Sequence, residues 1–144
     1  MSQPQTDFDW RPWAVAATVG LVTFFLYSPA IRYDFVAIDD PVYVTGNDLV
    51  RRGISAEGLR QLPRLVVSGN WHPITTLSHM VDCQLFGLDP AGHHATSIVI
   101  HSLTAALLCA VIWRLTGKLW SSALVAALFA WHPLRVESVA WVAE

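Results

Sequence analysis

Trp13-Ala14-Val15-Ala16-Ala17-Thr18-Val19-Gly20-Leu21-Val22-Thr23-Phe24-Phe25-Leu26-Tyr27-Ser28-Pro29-Ala30-Ile31 is a run of nineteen residues without one charged side chain. As an α-helix it would extend roughly 28 Å, close to the ~30 Å hydrocarbon thickness of a bilayer. It reads as a first transmembrane helix, with residues 1–12 as a short cytosolic tail. A cleaved signal peptide is the rival reading, but the preceding segment carries Asp7 and Asp9 against only Arg11, and no small-x-small cleavage site follows. Composition agrees with a membrane chain. Of 144 residues, 53% are hydrophobic, only 14% are charged and seven are Trp. A net charge of -2 offers no basic stripe to neutralise phosphates, which argues against a nucleic-acid partner. Cys83 and Cys109 form no CxxC pair, and Cys109 lies inside an apolar run as a small hydrophobe.

Outward from that run, residues 32–93 form a long loop that holds most of the acidic residues. Its Ser55–Val67 segment reads as a short helix interrupted before Pro63. Ile74, Leu77, Val81 and Leu85 then recur at helical spacing, with Thr75, His79 and Asp82 opposite and Gly87 as a stop. That pattern suits an amphipathic helix lying on a membrane surface, and would equally suit an ordinary buried helix. Asp89-Pro90 supplies an N-cap and a first-turn proline for a second transmembrane helix over 94–116. A third apolar run follows, Leu119 to Trp131, assigned as a third span over 118–132. Its thirteen residues make only about 20 Å of helix, so it is expected to stop in a recess roofed by residues 133–144, the start of a second external loop. The expected fold is thus all-α: a multi-pass membrane domain over 13–144, with three transmembrane helices and amphipathic helices in the long external loop. Arg11, Arg114 and Lys118 flank one set of helix ends, which the positive-inside rule places in the cytosol.

Asp39-Asp40 and Glu137 then come out together on the opposite, non-cytosolic side, and two features stand out. The first is the couplet Asp39-Asp40 in Phe35-Val36-Ala37-Ile38-Asp39-Asp40-Pro41. Carboxylates at the mouth of a membrane bundle are costly unless paired, hydrated or used, although Asp before Pro also serves plain turn chemistry. The second is a polar stripe on span two, His94, Ser97, His101 and Thr104, within about an 80° arc at helical pitch. Such a face turns inward, either to satisfy helix–helix hydrogen bonds or to meet a ligand. No HExxH pattern is present and His93-His94 are adjacent, so no metal site is assigned; a divalent cation held by Asp39, Asp40 or Glu137 with a neutral His is left open.

Taken in order, Asp39-Asp40, Asn70-Trp71-His72-Pro73-Ile74-Thr75-Thr76-Leu77-Ser78, Leu85-Phe86-Gly87-Leu88, His93/His94 with His101, and Ala127 through Trp141 resemble the N-terminal part of the GT-C membrane glycosyltransferases. The likeness is greatest to the transmembrane-and-tetratricopeptide-repeat (TMTC) protein O-mannosyltransferases, and covers about residues 13–144. It implies an inverting enzyme of the plasma membrane, if bacterial, working on the periplasmic or extracellular side. Its substrates would be a polyprenyl-phosphate sugar, a hydroxyl-bearing acceptor that is expected to be protein, and the surrounding membrane lipid. By the same resemblance Asp40, assisted by Asp39 or in the reverse order, acts as general base on the acceptor. The family's HPxxxE segment maps to His132, Pro133 and Glu137. Arg135 is set to meet the carrier phosphate or else to pair with Glu137, and His101 and His72 join the substrate-binding group. Such enzymes have more spans and appended helical repeats, so the chain is expected to be a fragment, inactive alone. A non-enzymatic three-span protein that binds a lipid or partner, and an ion or proton path through Asp39, Asp40, His101 and Glu137, are the competing readings.

Overall fold

A computed structural model describes residues 9–143, so most of the expected tail lies outside the described residues. Helix α1 runs Arg11–Tyr27 and continues as a 3-10 turn over Ser28–Arg32. The long loop then folds into a π turn at Pro41–Thr45 and the short helices α2 (Asp48–Arg51) and α3 (Ala56–Gln61). Asn47 and Ser55 cap these two, accepting hydrogen bonds from the first-turn N–H groups. α4 (Pro73–Phe86) ends at Gly87, whose φ of +64° favours glycine. α5 (Pro90–Thr116) starts from the Asp89 cap and stops at the left-handed Gly117; α6 (Leu119–Trp131) and α7 (Arg135–Ala140) follow. The one extended pairing among the described residues is an isolated bridge between Val67 and Asn70.

The sequence-based expectation of three membrane-crossing helices is corrected to two. Among the described residues, only Arg11–Arg32, 22 residues, and Pro90–Thr116, 27 residues, are long and apolar enough to cross a membrane. α6 has thirteen residues and stops because His132 turns extended ahead of Pro133, which has no N–H to continue the ladder.

α1, α5 and α6 pack side by side through small residues. Ala16, Val19, Ala105, Cys109, Ala110, Ala126 and Ala130, small residues but for the valine, form their shared core. At Gly20 α1 comes close to α5: a Cβ there would lie 3.0 Å from the Ser102 carbonyl oxygen and 3.1 Å from the Ala106 Cβ. The large side chains point the other way, with Phe25, Leu103, Leu115 and Leu128 each more than 60% exposed. Small residues inside and bulky aliphatics outside reverse the order of a water-soluble bundle and match helices that associate in lipid.

One end of the trio is pinned at a single acceptor. The Ala130 carbonyl, left without an intrahelical partner by the break at His132, accepts the Tyr27 hydroxyl at 2.9 Å and His101 Nε2 at 3.0 Å. Trp131 Nε1 donates to the Thr23 hydroxyl at 3.0 Å beside it. Over this end sits the loop, on a second core of Val44, Val50, Leu62, Met80, Cys83 and Val142. Val142 lies near the end of the described chain, so the loop and the segment after α6 share one core at one end of the bundle.

Candidate functional site

The acidic couplet divides into two different environments. Asp40 is fully buried, and its two oxygens are both engaged: Oδ2 accepts the Val36 N–H at 2.6 Å and Oδ1 the Ala143 N–H at 3.0 Å. Asp39 is half-buried and contributes to the wall of a recess of about 390 Å³ with Tyr43, Asn70, His72, Thr75 and His79. The Asp39 carbonyl accepts the N–H groups of Val42 and Tyr43, a tight turn that leads into the π turn, which the Gly46 N–H closes on the Pro41 carbonyl at 2.8 Å. Asn70 Nδ2 donates to the Tyr43 hydroxyl at 3.0 Å and Trp71 Nε1 to the Pro63 carbonyl at 2.9 Å, which holds the Asn70-Trp71-His72 segment against the turn.

A second recess, about 350 Å³, adjoins the first and shares Thr75 and His79 with it. Ser97, His101 and Thr104 of the polar stripe line it, as does Arg135. The stripe's hydroxyls bond within their own helix, Ser97 to the His93 carbonyl and Thr104 to the Ile100 carbonyl. His101 bonds the α6 end and also lines the recess. Arg135 lies with its guanidinium carbon 4.6 Å from the centre of the Phe129 ring. Among the described residues no ion pair joins Arg135 to Glu137.

The structure therefore brings together Asp39, His72, His101 and Arg135 around two adjoining recesses. It does not bring in the others. Asp40 lies beneath them, while Glu137 and His132 are exposed and line neither recess. His132 Nδ1 accepts the Leu134 N–H at 3.3 Å, a turn contact. A furrow of about 650 Å³ along the α1–α5 seam has no titratable side chain among its lining residues and offers no acid–base chemistry.

Sequence reasoning missed a buried polar cluster behind the recesses: His79 and Asp82 of α4 and His93 of α5. Burial pushes the His79 imidazole down to about 4, and the neighbouring His93 adds to the effect. Burial pushes the Asp82 carboxyl up, against the Thr96 hydrogen bond and His93, which pull it down. The i, i+3 spacing of His79 and Asp82 was visible as the polar side of α4, but His93 joins them only because the chain reverses at Gly87. His94, next in sequence, faces elsewhere, its ring edge-on to Tyr33 at 6.3 Å between centres.

No family model matches the chain, and no solved structure matches it. Curated proteins do. The protein O-mannosyl-transferase Tmtc1 of Drosophila melanogaster is 31% identical over 125 residues, 83% of this chain and 15% of its own length. Tmtc2 of the same fly, also a protein O-mannosyl-transferase, is 33% identical over 75 residues, covering 51% of this chain and 8% of its own. The protein O-mannosyl-transferase tmtc2 of Xenopus laevis is 29% identical over 73 residues, 51% of this chain and 9% of its own. The chain resembles the TMTC protein O-mannosyltransferases and spans at most 15% of the length of these three relatives.

Proposed function

We propose that this chain is the acceptor-activating portion of an inverting membrane O-mannosyltransferase, held in the bilayer by α1, α5 and the shorter α6. In this reading Asp39 is the general base, Arg135 meets the phosphate of a polyprenyl-phosphate mannose, and the site faces the non-cytosolic side. The observation that carries it is the shared wall of the two recesses, which sets the half-buried Asp39 carboxylate and the Arg135 guanidinium on either side of Thr75 and His79. The outward-facing large aliphatics and the likeness to protein O-mannosyl-transferases support the membrane setting and the reaction class.

The chemistry asks for these two groups. The acceptor hydroxyl oxygen bonds to the anomeric carbon of mannose as the bond from that carbon to the phosphate oxygen breaks. The hydroxyl proton passes to the Asp39 carboxylate, and the polyprenyl phosphate leaves with the bonding electrons. A base of this kind contributes about 10²- to 10⁴-fold to rate. A guanidinium can bind the departing phosphate through two parallel N–H···O bonds. Asp40 supports Asp39 indirectly, by fixing the turn that carries it. His72 and His101, which line the two recesses, contact donor or acceptor hydroxyls in this reading.

The test is mannose transfer to protein in membranes containing the full-length protein, wild type against Asp39→Asn. Transfer should fall by about 10²-fold or more with membrane insertion unchanged. Transfer at the wild-type rate would remove the assignment.

A further inference from the structure

His79, Asp82 and His93 are 93% or more buried, and one ligand atom from each lies within 4.8 Å of the others. The tautomer of His93 follows from its neighbour. Its Nε2 lies 3.0 Å from the Gly87 carbonyl oxygen, which can only accept, so Nε2 carries the hydrogen. Nδ1 of the neutral ring is then a bare lone pair. It faces Asp82 Oδ2 at 3.8 Å, too far for a hydrogen bond. The other Asp82 oxygen is already held by the Thr96 hydroxyl at 2.7 Å. His79 brings a further imidazole on which neither nitrogen has a partner. The Nδ1 lone pair of His93, the free oxygen of Asp82 and the one lone pair of the His79 ring thus lie close together beside the recesses, while the outer atoms of His93 and Asp82 are fixed by a carbonyl and a hydroxyl. This is the arrangement metal-binding histidines and carboxylates show, with the second nitrogen on a carbonyl and the second oxygen hydrogen-bonded.

We propose that His79, Asp82 and His93 bind a zinc-class divalent ion that clips α4 onto the start of α5 behind the recesses. Two imidazoles and one carboxylate suit zinc, whereas magnesium and calcium prefer oxygen alone. Bonds of about 2.0–2.1 Å would put the ligand atoms about 3.3 Å apart, so modest side-chain rotations close the site. The fourth position is left for water, on the side where His79 borders the recesses. The proposal does not depend on the transferase reading, since it concerns binding at residues that take no part in the transfer.

The experiment uses the full-length protein purified in detergent, stripped with chelator and titrated with Zn²⁺, with metal content, X-ray absorption and thermal melting as readouts. Wild type should bind one Zn²⁺ at this site with two imidazoles in its coordination shell, and its melting temperature should rise on binding. Thr96→Val, which removes only the hydroxyl that orients Asp82, should weaken binding about 10- to 100-fold. Asp82→Asn and His79→Phe should abolish it while leaving the zinc-free melting temperature equal to or above that of wild type. The absorption spectrum of wild type decides the matter even if the ligand variants fail to fold. Failure of wild type to take up zinc, a shell without two imidazoles, or affinity unchanged in all three variants would overturn the proposal.

Discussion

The carboxylate of Asp40 holds the backbone N–H of Ala143 at 3.0 Å, across 103 residues of chain, and so fastens the first loop to the segment that follows α7. With Val36 on its other oxygen, this buried side chain terminates two backbone donors that nothing else satisfies. Asp40→Asn removes the charge and turns an amide toward one of those donors. Stability should fall by about 3 kcal/mol, the order expected for two charge-assisted bonds lost in a buried site. Asp39→Asn should melt with the wild type, since that side chain makes no comparable bonds. Thermal melts of both variants in detergent check the contrast, and equal losses would show that the two carboxylates share one structural role.

That contrast marks where the sequence was legible. The helical pitch of Ile74, Leu77, Val81 and Leu85 and the punctuation at Gly87 and Asp89-Pro90 mark α4 and the turn into α5, although the sequence assigns the second span to 94–116 and the helix begins at Pro90. The thirteen apolar residues of α6 were also readable as too short to span. The separate fates of Asp39 and Asp40 were not, since the partner of Asp40 is a main-chain N–H, and a main-chain group has no signature in sequence. The same holds for His79, Asp82 and His93. Their meeting depends on how two helices dock after the turn at Gly87, and pattern along one helix carries no record of that.

A second prediction concerns the Ala130 carbonyl. Tyr27→Phe removes one of its two donors and should cost about 1 kcal/mol, because His101 remains bonded. His101→Leu alone should cost a similar amount for the converse reason. Together they leave a buried carbonyl bare at the end of α6, so the double variant should lose more than the two single losses added. A double-mutant cycle by thermal or chemical unfolding measures the excess, and strict additivity would show that the shared acceptor is satisfied some other way.

The seam between α1 and α5 offers a third. At Gly20 a Cβ already meets the Ser102 carbonyl and the Ala106 methyl at the limit of contact. Gly20→Leu must push the helices apart, costing roughly 1–3 kcal/mol as overpacking does. The separation should also lengthen the bonds from Tyr27 and His101 to Ala130, so transfer should fall even though Gly20 lies far from any carboxylate. A melting temperature unchanged by Gly20→Leu would mean that the close approach is absent in the membrane.

Arg135 tests the division of labour between the recesses. Its guanidinium rests on Phe129 and faces the stripe of Ser97, His101 and Thr104, with no carboxylate partner among the described residues. If it binds the donor phosphate before and during transfer alike, Arg135→Gln should raise the KM for polyprenyl-phosphate mannose by about tenfold or more, equivalent to about 1.4 kcal/mol, with a smaller change in kcat. Arg135→Lys should recover only part of the loss, since an ammonium keeps the charge but loses the paired N–H geometry and the flat face that stacks on Phe129. Phe129→Leu should then mimic Arg135→Lys, by freeing the arginine from the ring that orients it. Should Arg135→Gln lower kcat with KM unchanged, the guanidinium would act only on the departing phosphate, and the donor's resting contacts would have to come from elsewhere along the stripe.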